Sequence, residues 1–522
     1  MPTQVKRPRV LIINCYADRH RQSTGSPNFV PQSSAPIALA GSLHREKASV
    51  KVYSEFYSGP FDQFHLFSWA NMLVLTGLNT SFDRMRQITA YARTLSPFIT
   101  VVIGGSIARV LPKLCNEFSD YVCDGDAEQL SEIIDDRFGR GFSAEEPLPR
   151  FDLMDHSALN IGYVESTRNC NFNCNFCSMT AEEKPFTVLD EAFVRKQLDA
   201  IGYRRAVIFV DQNFYGGPRS SFWSRMDIIQ QYYSEGKFGG WGALLTEDFF
   251  LQDENIEAAK KSGCIGFYCG VESFSSSQIM AFNKKQNLLL PQEQVITRCL
   301  EAGMVFNYGL VFDPSERSVR SMEEELDYIV SNPKITLPSF ISVAIPMIGT
   351  PLFYQRLKAS ELLPNMKLLD MDGRGLCTRP RDNEDKVVAL AARLDRNPLP
   401  KRKLLKHAFG FYRNYRRYMG CWPMLSSLMN TISMGMPYIG TNFREGKVPA
   451  NVRPRTYHSS TETIGSLYDP QIKVQAKFEH YFKPLYITDE KGELNEQLMD
   501  DLSPPNESSD EYSRNLRSEN TA

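Results

Sequence analysis

The chain has 522 residues, of which 42% are hydrophobic, and a formal net charge of −2. That length is too great for one ordinary core and implies two or three domains, and the near-neutral charge gives no electrostatic case for a nucleic-acid partner. Eleven cysteines, odd in number and sparse for the length, exclude a disulfide scaffold and fit reduced thiols in a cytoplasmic compartment.

In chain order, Met1–Arg9 is polar and basic, with no apolar signal core after it, so no secretory signal is expected. Residues 10–135 alternate between strand and helix patterns. Predicted strands are Arg9–Asn14, Val50–Tyr53, Met72–Leu75, Thr100–Ile103 and Tyr121–Cys123, with helical stretches beginning at Ile37 and over Ile88–Leu95. This rhythm predicts a parallel sheet covered by helices, whose ligands lie beyond the strand carboxyl ends. Gly104, Gly105, Asp124 and Gly125 fall at such ends. Residues 141–160 read as a linker punctuated by Pro147 and Pro149.

Residues 161–355 resume the alternation. Strands are predicted at Gly162–Ser166, Ala206–Val210, Gly240–Leu245, Gly266–Cys269, Val305–Phe312 and Ser339–Ile345, with helices such as Asn255–Lys261 and Glu293–Ala302. About six units of this kind suit a complete or partial (β/α) barrel with chemistry at the strand carboxyl ends. Residues 356–450 read as a mostly helical region, with helices over Leu376–Leu394 and Lys403–Tyr418. Residues 451–522 read as an extension whose acidic tail, from about Thr488, is expected to be disordered. The fold class is thus α/β: a Rossmann-like parallel sheet domain over 1–140, the barrel, and a helical C-terminal region.

The segment Cys170-Asn171-Phe172-Asn173-Cys174-Asn175-Phe176-Cys177 follows directly on a predicted strand, with the spacing C-x3-C-x2-C. A polar loop of this kind bends so that three thiolates converge, and soft thiolates suit iron–sulfur or zinc. Structural zinc needs a fourth ligand, and the next cysteine is Cys264. Three ligands to a four-iron cluster leave one iron open to a small molecule. The remaining alternative is three ordinary cysteines.

The loop resembles the signature of the radical SAM superfamily. The resemblance implies that Cys170, Cys174 and Cys177 hold a [4Fe-4S] cluster and that its open iron chelates S-adenosylmethionine. It also implies that Phe176 packs near the adenine. Further along, Asp211 and Asn213 in Asp211-Gln212-Asn213-Phe214 match a polar motif near the methionine amino group. Gly270-Val271-Glu272-Ser273 matches a stretch whose acid lies by the cofactor, and Ala344–Pro351 resembles the end of the sixth strand. Outside that context, Glu272 reads as a surface or helix-start acid and Asn213 as a turn residue.

The first domain resembles the cobalamin-binding domain of one large radical SAM subclass, in Val102-Ile103-Gly104-Gly105 and in Asp124-Gly125-Asp126-Ala127-Glu128. The resemblance makes Gly104, Gly105, Asp124, Gly125 and Glu128 candidate cobalamin contacts, since glycines let a broad cofactor approach the backbone. In Asp18-Arg19-His20-Arg21-Gln22-Ser23 a serine stands where the cobalt-ligating pattern has glycine, so His20 reads as a solvent-facing loop residue.

Lys401–Arg417 contains seven Lys/Arg and no acid, and Tyr418–Phe443 contains no charged residue but many Met and aromatic residues. Residues 401–443 fit a peripheral membrane surface, a lid over an apolar substrate pocket, or the core of a helical cap. The resemblance implies a cobalamin-dependent C-methyltransferase acting on a small molecule and supplied with electrons by a flavodoxin or ferredoxin, and the apolar run within 401–443 fits a hydrophobic substrate. The alternatives are radical oxidation, cyclisation or rearrangement without methyl transfer, and a non-catalytic iron–sulfur scaffold.

Overall fold

The computed structural model describes residues 7–15, 34–154, 160–373, 375–396, 400–435, 458–459 and 468–502. His20 and its neighbours lie outside the described residues.

Apolar, β-branched runs flanked by turn residues build the first sheet. Strands β1 (Arg9–Asn14), β2 (Ser49–Ser54), β3 (Met72–Thr76), β4 (Thr100–Gly104) and β5 (Tyr121–Cys123) form a parallel sheet in the order β2-β1-β3-β4-β5. The central strands β3 and β4 are buried along their whole length, as expected of a sheet with both faces covered. Helices α1 (Phe82–Leu95) and α2 (Ala127–Phe138) are among those that cover it. The latter runs close to the start of the predicted linker.

The second sheet contains β6 (Ile161–Val164), β7 (Ala206–Phe209), β8 (Trp241–Leu245), β9 (Cys264–Glu272), β10 (Val305–Phe312) and β11 (Phe340–Val343). All neighbours are parallel and the order follows the sequence, with β6 and β11 unpaired to each other. The barrel is therefore partial. Its core holds Trp241, Phe209, Phe214, Phe249 and Phe267 in mutual ring contact. Helices α3 (Gln292–Glu301) and α4 (Val319–Ser331) flank β10.

Three regions differ from expectation. The helix predicted over Leu376–Leu394 starts only at Glu384, as α5 (Glu384–Arg396). Pro380 would fall inside a helix begun at Leu376 and break it, and Asn383 accepts from the Asp385 N–H as the helix opens. Residues 362–373 are largely irregular and join the core of the first domain through Leu362, Met366 and Leu368. The segment from Thr488 to Leu502 is ordered rather than disordered. Thr488 is buried, and Ile487, Leu498 and Leu502 enter that same core.

Residues 468–502 strap the N-terminal domain. The buried Asp83 of α1 accepts from the Leu485 N–H and from the Tyr468 hydroxyl, and Asp501 accepts from the Lys113 and Leu114 N–H groups. Two more helices, α6 (Lys401–Tyr415) and α7 (Cys421–Gly435), pack against the barrel at α4 and β10.

Candidate active site

Cys170, Cys174 and Cys177 lie in the loop that leaves β6, at the carboxyl end of the barrel. All three are free thiols, Cys174 buried and the other two half-buried. Cys174 and Cys177 lie close enough to weigh on Cys170, and burial pushes the Cys170 thiol up to about 11. Cys174 and Cys177 are raised by burial too. Among the described residues no three Cys, His, Asp or Glu side chains close on a single ion. Three soft thiols on one polar loop fit an iron–sulfur cluster, the donor chemistry that the C-x3-C-x2-C spacing also points to.

The loop is held from two directions. On the β7 side, Asp211 is fully buried. Its carboxylate accepts from the Ser166 and Thr167 N–H groups at 2.7 and 2.8 Å and from the Ser166 hydroxyl at 2.5 Å. Oδ1 is thus occupied by the backbone, and Oδ2 by the Ser166 side chain, of the segment that leads into the cysteines. Burial raises this carboxyl, and the three hydrogen bonds oppose the rise. Asn213 is equally buried and donates to Asn171 Oδ1 at 2.7 Å while accepting from Thr246. The resemblance put both beside the methionine amino group; the structure has them grip the loop.

On the β9 side, residues 281–286 form a clamp that the sequence did not single out. Asn175 donates its backbone N–H to Phe282 O and its side-chain amide to Ala281 O, at 3.1 and 2.7 Å. Asn283 donates to Asn173 O at 2.8 Å. The Phe176 ring meets the Phe282 ring at 4.7 Å. Gln286 Nε2 donates to Cys174 Sγ at 3.5 Å. Burial works against the Lys284 ammonium, but Glu272 and Cys174 keep it charged.

Glu272 ends β9 in a left-handed backbone conformation, φ 61°, and pairs with Lys284 at 2.5 Å. A side chain at Gly270 would meet both partners, its Cβ lying 2.4 Å from Glu272 Oε1 and from Lys284 Nζ. Gly270 is therefore the space in which this ion pair lies. Nearby, Glu247 follows β8 and is buried without a hydrogen bond of ordinary geometry, with Lys284, Glu272, Gln292 and Asp248 close enough to weigh on it. Burial pushes its carboxyl well above the usual range, against the opposing pull of Lys284. A cleft of about 1190 Å³ opens beyond Ser273, between α3, α4 and the end of α6, and none of its lining belongs to the cysteine loop.

The N-terminal candidates sit at the facing strand ends. Gly105 has φ 91°, and a Cβ there would lie 2.4 Å from Gly77 O, whereas a Cβ at Gly104 would meet nothing nearer than 3.5 Å. Gly105 is thus required by the local backbone, and Gly104 is the open position. Asp124 accepts from Gln129, and the Gly125 N–H donates to the same side chain. Arg109 donates to Asp124 O, Gly125 O, Asp126 and, across the domain boundary, Glu182. Arg168, two positions before Cys170, donates to Glu128 at 3.1 Å and to Glu165 at 2.9 Å. Burial works against the Asp126 charge, yet Lys184, Arg109 and Arg168 together hold its carboxyl below the ordinary range. The strand ends that carry the glycines are therefore tied by ion pairs to both flanks of the cysteine loop.

Comparison with known proteins gives the same frame. Residues 164–326 match the family model described as the radical SAM superfamily. The chain is 21% identical over 287 residues to a bacteriochlorophyllide d C-8(2)-methyltransferase of Chlorobaculum tepidum, covering 49% of this chain and 62% of that protein. It is 21% identical over 250 residues to a hopanoid C-2 methylase of Rhodopseudomonas palustris, covering 43% and 46%. The chain thus spans less than two thirds of the length of these relatives. The structure of apo OxsB, described as a cobalamin-dependent S-adenosylmethionine radical enzyme, superposes with a TM-score of 0.53 at 14% identity, covering 85% of this chain and 81% of that one. At that identity the likeness is one of fold, and it spans both parallel sheets. With its cysteine loop and partial barrel, the chain carries over residues 164–326 a domain that matches the radical SAM superfamily.

Proposed function

We propose that this protein is a cobalamin-dependent radical SAM enzyme that methylates an unactivated carbon of a small, apolar molecule. The observation that carries the reading is the facing of two strand-carboxyl ends. The Cys170–Cys177 loop on the barrel and the open backbone at Gly104 on the first sheet are joined through Arg109, Glu182, Arg168 and Glu128. When bound, a [4Fe-4S] cluster with S-adenosylmethionine supplies a 5'-deoxyadenosyl radical, and cobalamin supplies a methyl group. The chain's own residues bind, orient and exclude competing reactions.

Cys170, Cys174 and Cys177 would be the thiolate ligands, and Asp211 and Asn213 would fix the loop that carries them. Phe176, in tilted ring contact with Phe282, would wall the adenine. Glu272 and Lys284 would offer one charge of each sign to the cofactor's polar groups. Gly104, with Gly105, Asp124 and Gly125 shaping the turns around it, would leave room for the corrin, and Glu128 would hold Arg168 at the seam. A flavodoxin- or ferredoxin-type reductant would supply the electron. Peripheral membrane contact through 401–443 belongs to the same reading. No helix among the described residues is long and apolar enough to cross a bilayer.

The test is anaerobic reconstitution with iron, sulfide, cobalamin and methyl-labelled S-adenosylmethionine. The expected result is about four irons per chain, cobalamin uptake, 5'-deoxyadenosine formation, and label in the product. Deoxyadenosine without labelled product assigns the chain to radical oxidation, cyclisation or rearrangement. A cluster that yields no deoxyadenosine with any reductant leaves the scaffold alternative.

A further inference from the structure

Helices α6 and α7 each carry two apolar sides. One side is spent on the fold: Leu404, Phe411 and Tyr415 of α6 and Met424 of α7 are buried in the barrel's core cluster. The other faces water. On α6, Leu405 is 72% exposed and Phe409 70%, and exposed Tyr412 continues the row at the next turn. On α7, Trp422 is 80% exposed, with exposed Leu425 and Met429 in the same helical register. These spacings of three and four residues place each row on a single helical face, and a row this long is unusual on a surface that meets only water.

The charge around the rows has one sign. Lys401, Arg402, Lys406, Arg413, Arg416 and Arg417 are all exposed, and residues 401–435 contain no Asp or Glu. Lys403 pairs with Asp327; the six others have no ion-pair partner among the described residues. Aromatic and aliphatic side chains flanked by unpaired cations, with no acid, complement an anionic lipid surface. Lysine and arginine stems can lie along the apolar row while their charged ends reach phosphates. With 15 residues, α7 is about 22 Å long, short of the roughly 30 Å hydrocarbon core, so the hairpin can lie on a bilayer and not cross it.

We propose that α6 and α7 dock this protein on an anionic lipid bilayer, with Leu405, Phe409, Trp422 and Leu425 inserted at the headgroup boundary and the arginines paired with phosphate headgroups. The proposal rests on the membrane contact named in the functional reading above and deepens it, while none of the cofactor chemistry enters its test.

The test is sedimentation of the full-length protein with vesicles of phosphatidylcholine alone or mixed with phosphatidylglycerol. The protein should pellet with the anionic vesicles, partition at least about tenfold less onto neutral ones, and be released by high salt. Because the targeted side chains are exposed, the variants Phe409→Gln/Trp422→Gln and Arg413→Gln/Arg416→Gln/Arg417→Gln should fold normally, as circular dichroism checks. The first should lose binding to both vesicle types, and the second should lose the anionic preference. Wild-type protein that stays in the supernatant with anionic vesicles overturns the proposal, as do variants that bind like wild type. A dimer that either variant converts to monomer in analytical ultracentrifugation also overturns it, by assigning the face to a second copy of this chain.

Discussion

The two strand-carboxyl ends that face each other across the domain boundary are built on different principles. At the barrel end, side chains do the holding. Asp211, Asn213, Asn175, Asn283 and Gln286 direct hydrogen bonds into and around the cysteine loop. At the N-terminal end the backbone itself is the surface, and the critical feature is the lack of a side chain at Gly104 and Gly105. A site made of side chains can be weakened one contact at a time. A site made of bare backbone either accepts an added side chain or does not, and Gly104 and Gly105 give opposite answers.

The largest expected effect breaks the barrel end outright. Replacing any one of Cys170, Cys174 or Cys177 by Ala should bring the iron content of anaerobically reconstituted protein from about four per chain to near none and abolish deoxyadenosine formation. The same replacement at Cys264 or Cys299 should leave iron content unchanged. Variants of the three loop cysteines that keep full iron content would remove the site from this loop.

The next tests the backbone end. Gly105→Ala forces a side chain into a glycine-only conformation and against Gly77 O, so it should cost roughly 1–3 kcal/mol in strain alone and lower the melting temperature whether or not cobalamin is present. Gly104→Ala should melt like wild type. Gly104→Leu should then fold with a normal cluster and bind cobalamin less tightly, measured by absorbance titration beside an iron count. Equal cobalamin affinity in Gly104→Leu and wild type would show that the corrin does not use this shelf.

A smaller effect separates gripping from binding at the barrel end. Asp211→Ala leaves the buried Ser166 and Thr167 N–H groups without their acceptor, at about 1–3 kcal/mol for each orphaned group. It should reduce iron retention, whereas Glu272→Gln should keep the iron and weaken S-adenosylmethionine binding. The opposite pattern would exchange the roles of the two acids.

Smaller again is the contribution of Gln286. An N–H···S hydrogen bond stabilises the more negative state of a cluster, so Gln286→Leu should keep full iron content and lower the midpoint potential measured by anaerobic redox titration. An unchanged potential would make the contact merely steric.

The weakest effect tests the tie between the two ends. The Asp126 carboxyl is held below its ordinary value of 3.8 in the folded protein, so its charge stabilises the fold above that pH and ceases to do so as pH falls toward the depressed value. Wild type should melt slightly above Asp126→Asn near neutrality, and the gap should close below pH 3.8. A gap that persists in acid would point to a contribution other than charge.

Much of this was legible in the sequence, for reasons that vary by element. Strands β1 and β10 appear with the boundaries their apolar, β-branched runs predict. The cysteine loop was legible because three soft ligands within eight positions have few other uses. The role of Asp211 was less so, since sequence places it after a strand but not against Ser166, 45 residues away. The clamp at 281–286 lies about 110 residues from the cysteines, and only the curl of the partial barrel brings it to them. Gly104 and Gly105 read alike as a pair; the difference between them lies in the path of Gly77. The strap after Thr488 was missed because its composition is polar, while its few apolar anchors serve a core laid down at the other end of the chain.

That strap has a consequence for how the molecule comes into being. Leu485 donates to Asp83 across 402 residues of intervening chain. At about 5–20 residues per second on the ribosome, α1 is made roughly 20–80 s before the partner that satisfies its buried carboxylate. The first domain to emerge is among the last to be finished. During that interval it must exist with an apolar flank uncovered and Asp83 without those donors, while the barrel, whose strands pair with their neighbours in sequence, can assemble as it is made. Chaperone dependence and susceptibility to proteolysis during synthesis should therefore fall on the N-terminal domain, and point changes at Ile487, Leu498 or Leu502 should be felt there and not where they lie in the sequence.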